Sequence, residues 1–161
     1  MWTTLLLAVS GLTAAETVSK SVVIEKPLKP TFDVVTTAKY WTKWHPATLQ
    51  VTGDIEKPVK TGNKLKETAK IAGFTAEGEW TVSERRRPTA LLLRMPASRL
   101  GDLAIRYRFE KLNRNTTRFT RELTFDVSKL PPALADVVRR QMDRDSEQAV
   151  QNLKRFIESG S

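Results

Sequence analysis

Hydrophobic positions follow three successive rhythms along the chain, and each rhythm predicts a different kind of element. Val18, Val22, Val23 and Ile24 lie in a β-branched run that stops at Pro27, the pattern of a first strand. From Lys29 to Trp44 the spacing becomes helical: Pro30 suits a first turn, and Phe32, Val34, Val35, Trp41 and Trp44 recur at three- and four-residue steps. One or two short helices fit there. From Pro46 to Asp126 the period is two. Turn chemistry at Glu56 to Gly62, Ala72-Gly73, Arg87-Pro88, Pro96 to Gly101 and Asn113 to Asn115 divides this stretch into six strands, with links short enough for antiparallel hairpins. Beyond Pro131-Pro132, apolar residues Leu134, Val138, Met142, Ala149, Leu153, Phe156 and Ile157 form one stripe of a long helix that runs to Glu158.

Side chains alternate across a strand, so each strand splits into an inward apolar face and an outward polar one. The inward sets are Leu49, Val51 and Ile55; Leu65, Glu67, Ala69 and Ile71; Phe74, Ala76, Gly78, Trp80, Val82 and Glu84; Leu91, Leu93 and Met95; Leu103, Ile105, Tyr107 and Phe109; Phe119, Arg121, Leu123 and Phe125. The helix stripe needs an apolar surface to cover it, and these faces provide one. The fold class is therefore α+β, a curved seven-stranded antiparallel sheet wrapped around a long C-terminal helix, with two short helices between strands 1 and 2.

At 161 residues one core suffices, and no segment reaches the ~18 consecutive apolar residues of a membrane span. Residues 1–15 carry no charge and end in small residues, a signal-like pattern without the usual basic start. They read as a candidate signal peptide or N-terminal extension, with residues 16–161 as the single domain, which leaves the compartment open between cytoplasmic and exported. With no cysteine and one histidine, disulfides, thiol catalysis and structural zinc lack raw material, and no metal or other cofactor is expected. The net charge of +9 favours anionic surfaces. An anionic membrane is a candidate docking partner, whereas nucleic acid is disfavoured because the aromatic residues lie on inward faces. Cross-strand pairing of Lys64, Lys66 and Lys70 with Glu77 and Glu79 would account for part of the charge without any partner.

The order of elements and several local motifs resemble the START-like, polyketide cyclase-like superfamily with the helix-grip fold. Val22-Val23-Ile24-Glu25-Lys26-Pro27, followed by Pro30, Phe32, Asp33 and Val35, is similar to its opening strand and helix. Trp41-Thr42-Lys43-Trp44-His45-Pro46 is similar to its W-x-x-W-x-P signature. Gly53, Gly62, Gly78, Trp80, Val82 and Glu84 fit its strands, and Ala149, Asn152, Leu153 and Ile157 fit its last helix. The resemblance spans about Val18 to Glu158 and implies an apolar cavity between sheet and helix. The function it implies is binding or transport of a hydrophobic small molecule or lipid. The alternatives are a polyketide cyclase or dehydratase type of enzyme, or an interaction module whose cavity has collapsed.

Within that frame Glu67 and Arg121 interrupt apolar rows, and an unpaired buried charge costs several kcal/mol. One reading places both in a partly wet cavity, with Arg121 as a forked donor to a ligand oxygen and Glu67 as its resting partner. The plainer reading is a structural ion pair at the sheet's rim. Tyr107 and Trp80 add a hydroxyl and an indole donor. Trp41 and Trp44 share one helix face, one expected against ligand and the other anchoring the helix. Phe74, Leu93, Phe119 and, from the helix, Met142 complete the expected apolar lining. His45 is the one imidazole; no triad or carboxylate pair accompanies it, so it reads as a half-exposed residue at a helix end, and no catalytic residue is assigned.

Overall fold

The computed structural model describes residues 14–160, so the candidate leader over residues 1–15 lies outside the described residues except for Ala14 and Ala15. Strand β1 (Glu16–Ile24) leads through Pro27 into helix α1 (Leu28–Val35), a 3₁₀ turn (Ala38–Tyr40) and the single-turn helix α2 (Trp41–Trp44). Strands β2 (Thr48–Gly53), β3 (Lys64–Ile71), β4 (Phe74–Arg86), β5 (Ala90–Ser98), β6 (Gly101–Asn113) and β7 (Thr116–Phe125) follow, and helix α3 (Pro132–Glu158) ends the fold.

Among the described residues the strands form one antiparallel sheet in the order β1-β7-β6-β5-β4-β3-β2. Five neighbouring pairs are hairpin neighbours in sequence; β1 joins the other edge by pairing with β7, from Glu16 opposite Phe125 to Ile24 opposite Thr117. Register shifts in four of the pairings, at Thr48/Gln50, Val82/Glu84, Met95/Ser98 and Lys111/Asn113, put extra residues into strands. Such irregularities sharpen twist and help a sheet of this width to curl.

Helix α3 starts with Pro132, whose missing N–H costs nothing in a first turn. Its stripe of Ala135, Val138, Ala149, Val150, Leu153 and Ile157 is buried in the grip. Polar ties run along β1 as well. Arg139 bonds Glu16, Lys20 meets Asp143 at 2.9 Å, Lys154 donates to the Val23 carbonyl, and the Glu25 N–H donates to Glu158. The outer sheet surface carries cross-strand pairs such as Lys64–Glu79, Arg108–Glu122 and Arg118–Glu110, so part of the basic character is compensated locally.

Three inward assignments change. Leu49 is 52% exposed and Thr48 is buried in its place, because the register shift after Thr48 turns the start of β2 over by one residue. Phe74 is 69% exposed and Ala76 is exposed too, because the tip of the β3–β4 hairpin is tied to α3 mainly through the Gln141 side chain, which bonds the Lys70 carbonyl and the Ala72 N–H.

Candidate functional site

The grip leaves a cavity of about 690 Å³ between the sheet and α3. Its inner end is walled by Trp41 and Trp44 of α2, Tyr107 of β6 and Arg121 of β7; exposed residues Phe74, Thr75, Glu77 and Arg99 mark its mouth. Each inner residue is placed by a local rule. On β7 the buried positions alternate through Thr117, Phe119, Arg121, Leu123 and Phe125, so Arg121 has no choice but to point inward. Tyr107 stands directly opposite it on β6. Trp41 and Trp44, three residues apart on one turn, are both buried.

A chain of polar groups crosses this end. Arg121 Nη1 donates to Ser146 Oγ of α3 at 2.8 Å, and Nη2 donates to His45 Nε2 at 2.9 Å. Since guanidinium can only donate, Nε2 must accept, and the imidazole proton sits on Nδ1. That proton faces Thr48 Oγ1 at 3.0 Å, and the Thr48 hydroxyl donates onward to Glu67 Oε1. Glu67 Oε2 receives the indole N–H of Trp80 at 2.7 Å. Trp80 and Glu67 lie diagonally across β3 and β4, with Gly78 directly opposite Glu67. Every hydrogen in this relay has one consistent direction, from Arg121 to the Glu67 carboxylate.

Burial, and then the adjacent Arg121 charge, hold the His45 pKa well below the ordinary imidazole value, so the ring is neutral near pH 7. Burial pushes the Tyr107 hydroxyl up to about 12; Glu67 adds to the rise and Arg121 opposes it. Tyr107 is therefore a protonated donor beside a permanent cation.

Eight of the ten residues expected to meet ligand line the cavity: Trp41, Trp44, Glu67, Phe74, Trp80, Tyr107, Arg121 and Met142. Trp41 is also tied down by its indole N–H to the Val35 carbonyl. Leu93 and Phe119 do not line it. Both are fully buried, Phe119 in ring contact with Phe109 and Tyr107, and Leu93 on β5 between Val82 and Ile105. The expected Arg121–Glu67 pair is also corrected. Three strands separate β7 from β3, roughly 19 Å along a flat sheet, and even after curling His45 and Thr48 stand between the two charges. Nor is Arg121 at a rim; it is 2% exposed.

Three contributors were not legible as such. Ser146 falls four residues after Met142 and three before Ala149, on the helix stripe, a position its polarity disguised. Thr48 owes its inward direction to the register shift in β2. His45 is half-buried as expected of a helix end, yet both ring nitrogens are bonded and it faces the cavity.

A sheet gripping a long helix around a cavity defines a START-like, helix-grip protein. The sequence model of the family described as polyketide cyclase / dehydrase and lipid transport matches residues 15–158, and the chain belongs to that family. A curated relative, protein I of penitrem biosynthesis cluster 1 from Penicillium ochrochloron, is 26% identical over 137 residues, covering 80% of this chain and 90% of that protein. Among solved structures, the Zhui aromatase/cyclase from Streptomyces sp. R1128 matches with a TM-score of 0.74 at 16% identity, covering 89% of this chain and 94% of its own. A START superfamily protein from Mycobacterium smegmatis matches with a TM-score of 0.68 at 12% identity, covering 90% and 99%. At such identities the structures speak for the fold alone. Among the described residues no helix is long and apolar enough to cross a membrane.

Proposed function

We propose that the protein binds a hydrophobic small molecule or lipid in the cavity between the sheet and α3. The observation that carries this reading is the cavity itself: about 690 Å³, within the usual range for small-molecule sites, lined mainly by apolar side chains with a few convergent polar groups at one end. An interaction module with a collapsed interior would not need that volume. The test is a fluorescence titration with the uncharged probe N-phenyl-1-naphthylamine. The expected result is saturable uptake at one site, lost in Ala69→Phe, which fills the cavity from β3 while the fold is retained. Absence of saturable uptake by the folded wild-type protein would overturn the reading.

A catalytic reading has one observation behind it, the alignment of a neutral imidazole with the Glu67 carboxylate through Thr48, an arrangement that could hand a proton along. Against it, the acceptor nitrogen of His45 is already engaged by Arg121, so no lone pair is free in the resting site. Binding is the function this geometry supports better. Incubation with a polyketide-like substrate and recovery of an altered product would reverse that order.

A further inference from the structure

We propose that the cavity takes an amphipathic acid, its apolar body lodged between the sheet and α3 and its single carboxylate, or an equivalent oxyanion, hydrogen-bonded to Arg121. This rests on the ligand-binding reading above and narrows it.

Arg121 is a permanent cation, 2% exposed, on the cavity wall. Its partners are all neutral: the Ser146 hydroxyl, the neutral His45 ring and the neighbouring Tyr107 hydroxyl, while its Nε has no partner. Among the described residues no ion pair includes it. The acidic groups around the cavity are committed elsewhere. Both oxygens of Glu67 are taken by Thr48 and Trp80, Asp145 receives Gln141 and lies beside Arg144, and Glu77 is exposed at the mouth. A buried cation held only by neutral groups is under-compensated, and an anion arriving from the cavity is what would complete it.

The geometry points to a way in. A ligand oxygen takes the place of His45 Nε2 on Nη2, exchanging a bond to a neutral acceptor for a charge-assisted one. His45 stays anchored through Nδ1 to Thr48, and Tyr107, directly across the ladder from Arg121, supplies a second donor. Bare inorganic anions are poor candidates because Trp41, Trp44, Ile105, Leu123, Val138 and Met142 leave the adjoining space apolar. The body is alkyl or aryl, and the probes below separate the two.

The test displaces bound N-phenyl-1-naphthylamine near neutral pH with matched pairs: dodecanoate against methyl dodecanoate, and 2-naphthoate against methyl 2-naphthoate. In at least one pair the acid should act at a concentration about tenfold or more below its ester, the worth of one charge-assisted bond. Arg121→Met should abolish the preference while still taking up the neutral probe, and Tyr107→Phe should reduce it. Should Arg121→Met not fold, the wild-type ratio and Tyr107→Phe still decide. Equal displacement by acid and ester, or an acid preference that survives Arg121→Met, overturns the proposal and leaves the ligand-binding reading standing. If neither the probe nor any of the four compounds binds, both fall.

Discussion

Two neighbouring inward rungs of the β6–β7 ladder have opposite characters. Phe109 faces Phe119, the rings 5.2 Å apart, and Phe32 of α1 closes over Phe109 at 5.0 Å; this end is dry and filled. One rung further along, Tyr107 faces Arg121, and there the interior opens into the cavity with its relay of hydrogen bonds. Both rungs are buried to a similar degree, so burial does not distinguish them. What differs is what lies across from the sheet. Opposite the first rung α1 supplies an aromatic ring; opposite the second, the residue after α2, His45, and Ser146 of α3 can satisfy a guanidinium but leave its charge uncancelled. One end of the grip stabilises the fold by packing, and the other keeps volume and polarity available.

The sharpest way to break that contrast is to hollow out the filled end. Phe119→Ala removes a fully buried ring that touches both Phe109 and Tyr107, and should destabilise the protein by ~3–5 kcal/mol in urea unfolding. The same truncation at the cavity mouth, Phe74→Ala, should cost under ~0.5 kcal/mol because that side chain is already mostly in water. Similar losses at both positions would mean that the two ends are packed alike.

The filled end is the part most legible in sequence. Period-two alternation orients Phe109, Phe119, Leu91 and Leu93 correctly, and the helical stripe of α3 follows from Leu134 to Ile157, because burying apolar area fixes register wherever one face is dry. The open end is legible only by residue type. Glu67 and Arg121 stand out as charges in apolar rows, but their partners do not, since these come from a register shift at Thr48, a serine on the helix stripe and a histidine after a one-turn helix. Leu93 and Phe119 lie off the cavity lining for the converse reason: alternation says which face a side chain is on, not whether the space opposite it is filled.

The open end should also respond to pH where the filled end does not. His45 is the single histidine of the chain and is held neutral in the folded state, with Arg121 at one nitrogen, Thr48 and then Glu67 beyond the other, and Trp44 at its edge. Its folded pKa is depressed, so the unfolded chain binds the extra proton first as pH falls. Stability is therefore fully present above the unfolded value of about 6.5 and declines below it, with a slope approaching ~1.4 kcal/mol per pH unit. Urea midpoints between about pH 7 and pH 5.5 should fall for the wild type and stay nearly level for His45→Gln. A flat wild-type profile in that window would show that the imidazole accepts its proton within the fold.

A small effect on stability, paired with a larger one on binding, tests whether the open volume itself matters. A methyl group added at Gly78 would overlap Sδ and Cε of Met95, the mobile end of a flexible side chain, while the backbone around it stays clear. Both residues line the cavity, so Met95 can yield by swinging into empty space without forcing the strands apart. Gly78→Ala should then change stability by under ~1 kcal/mol, helped by the better strand-forming character of alanine, yet weaken uptake of N-phenyl-1-naphthylamine several-fold because the displaced thioether occupies its room. Shortening the intruder in Gly78→Ala/Met95→Ala should restore binding. Affinity that ignores both substitutions would place the probe away from β4 and β5, and with it the claim that this end of the grip is kept empty for a guest.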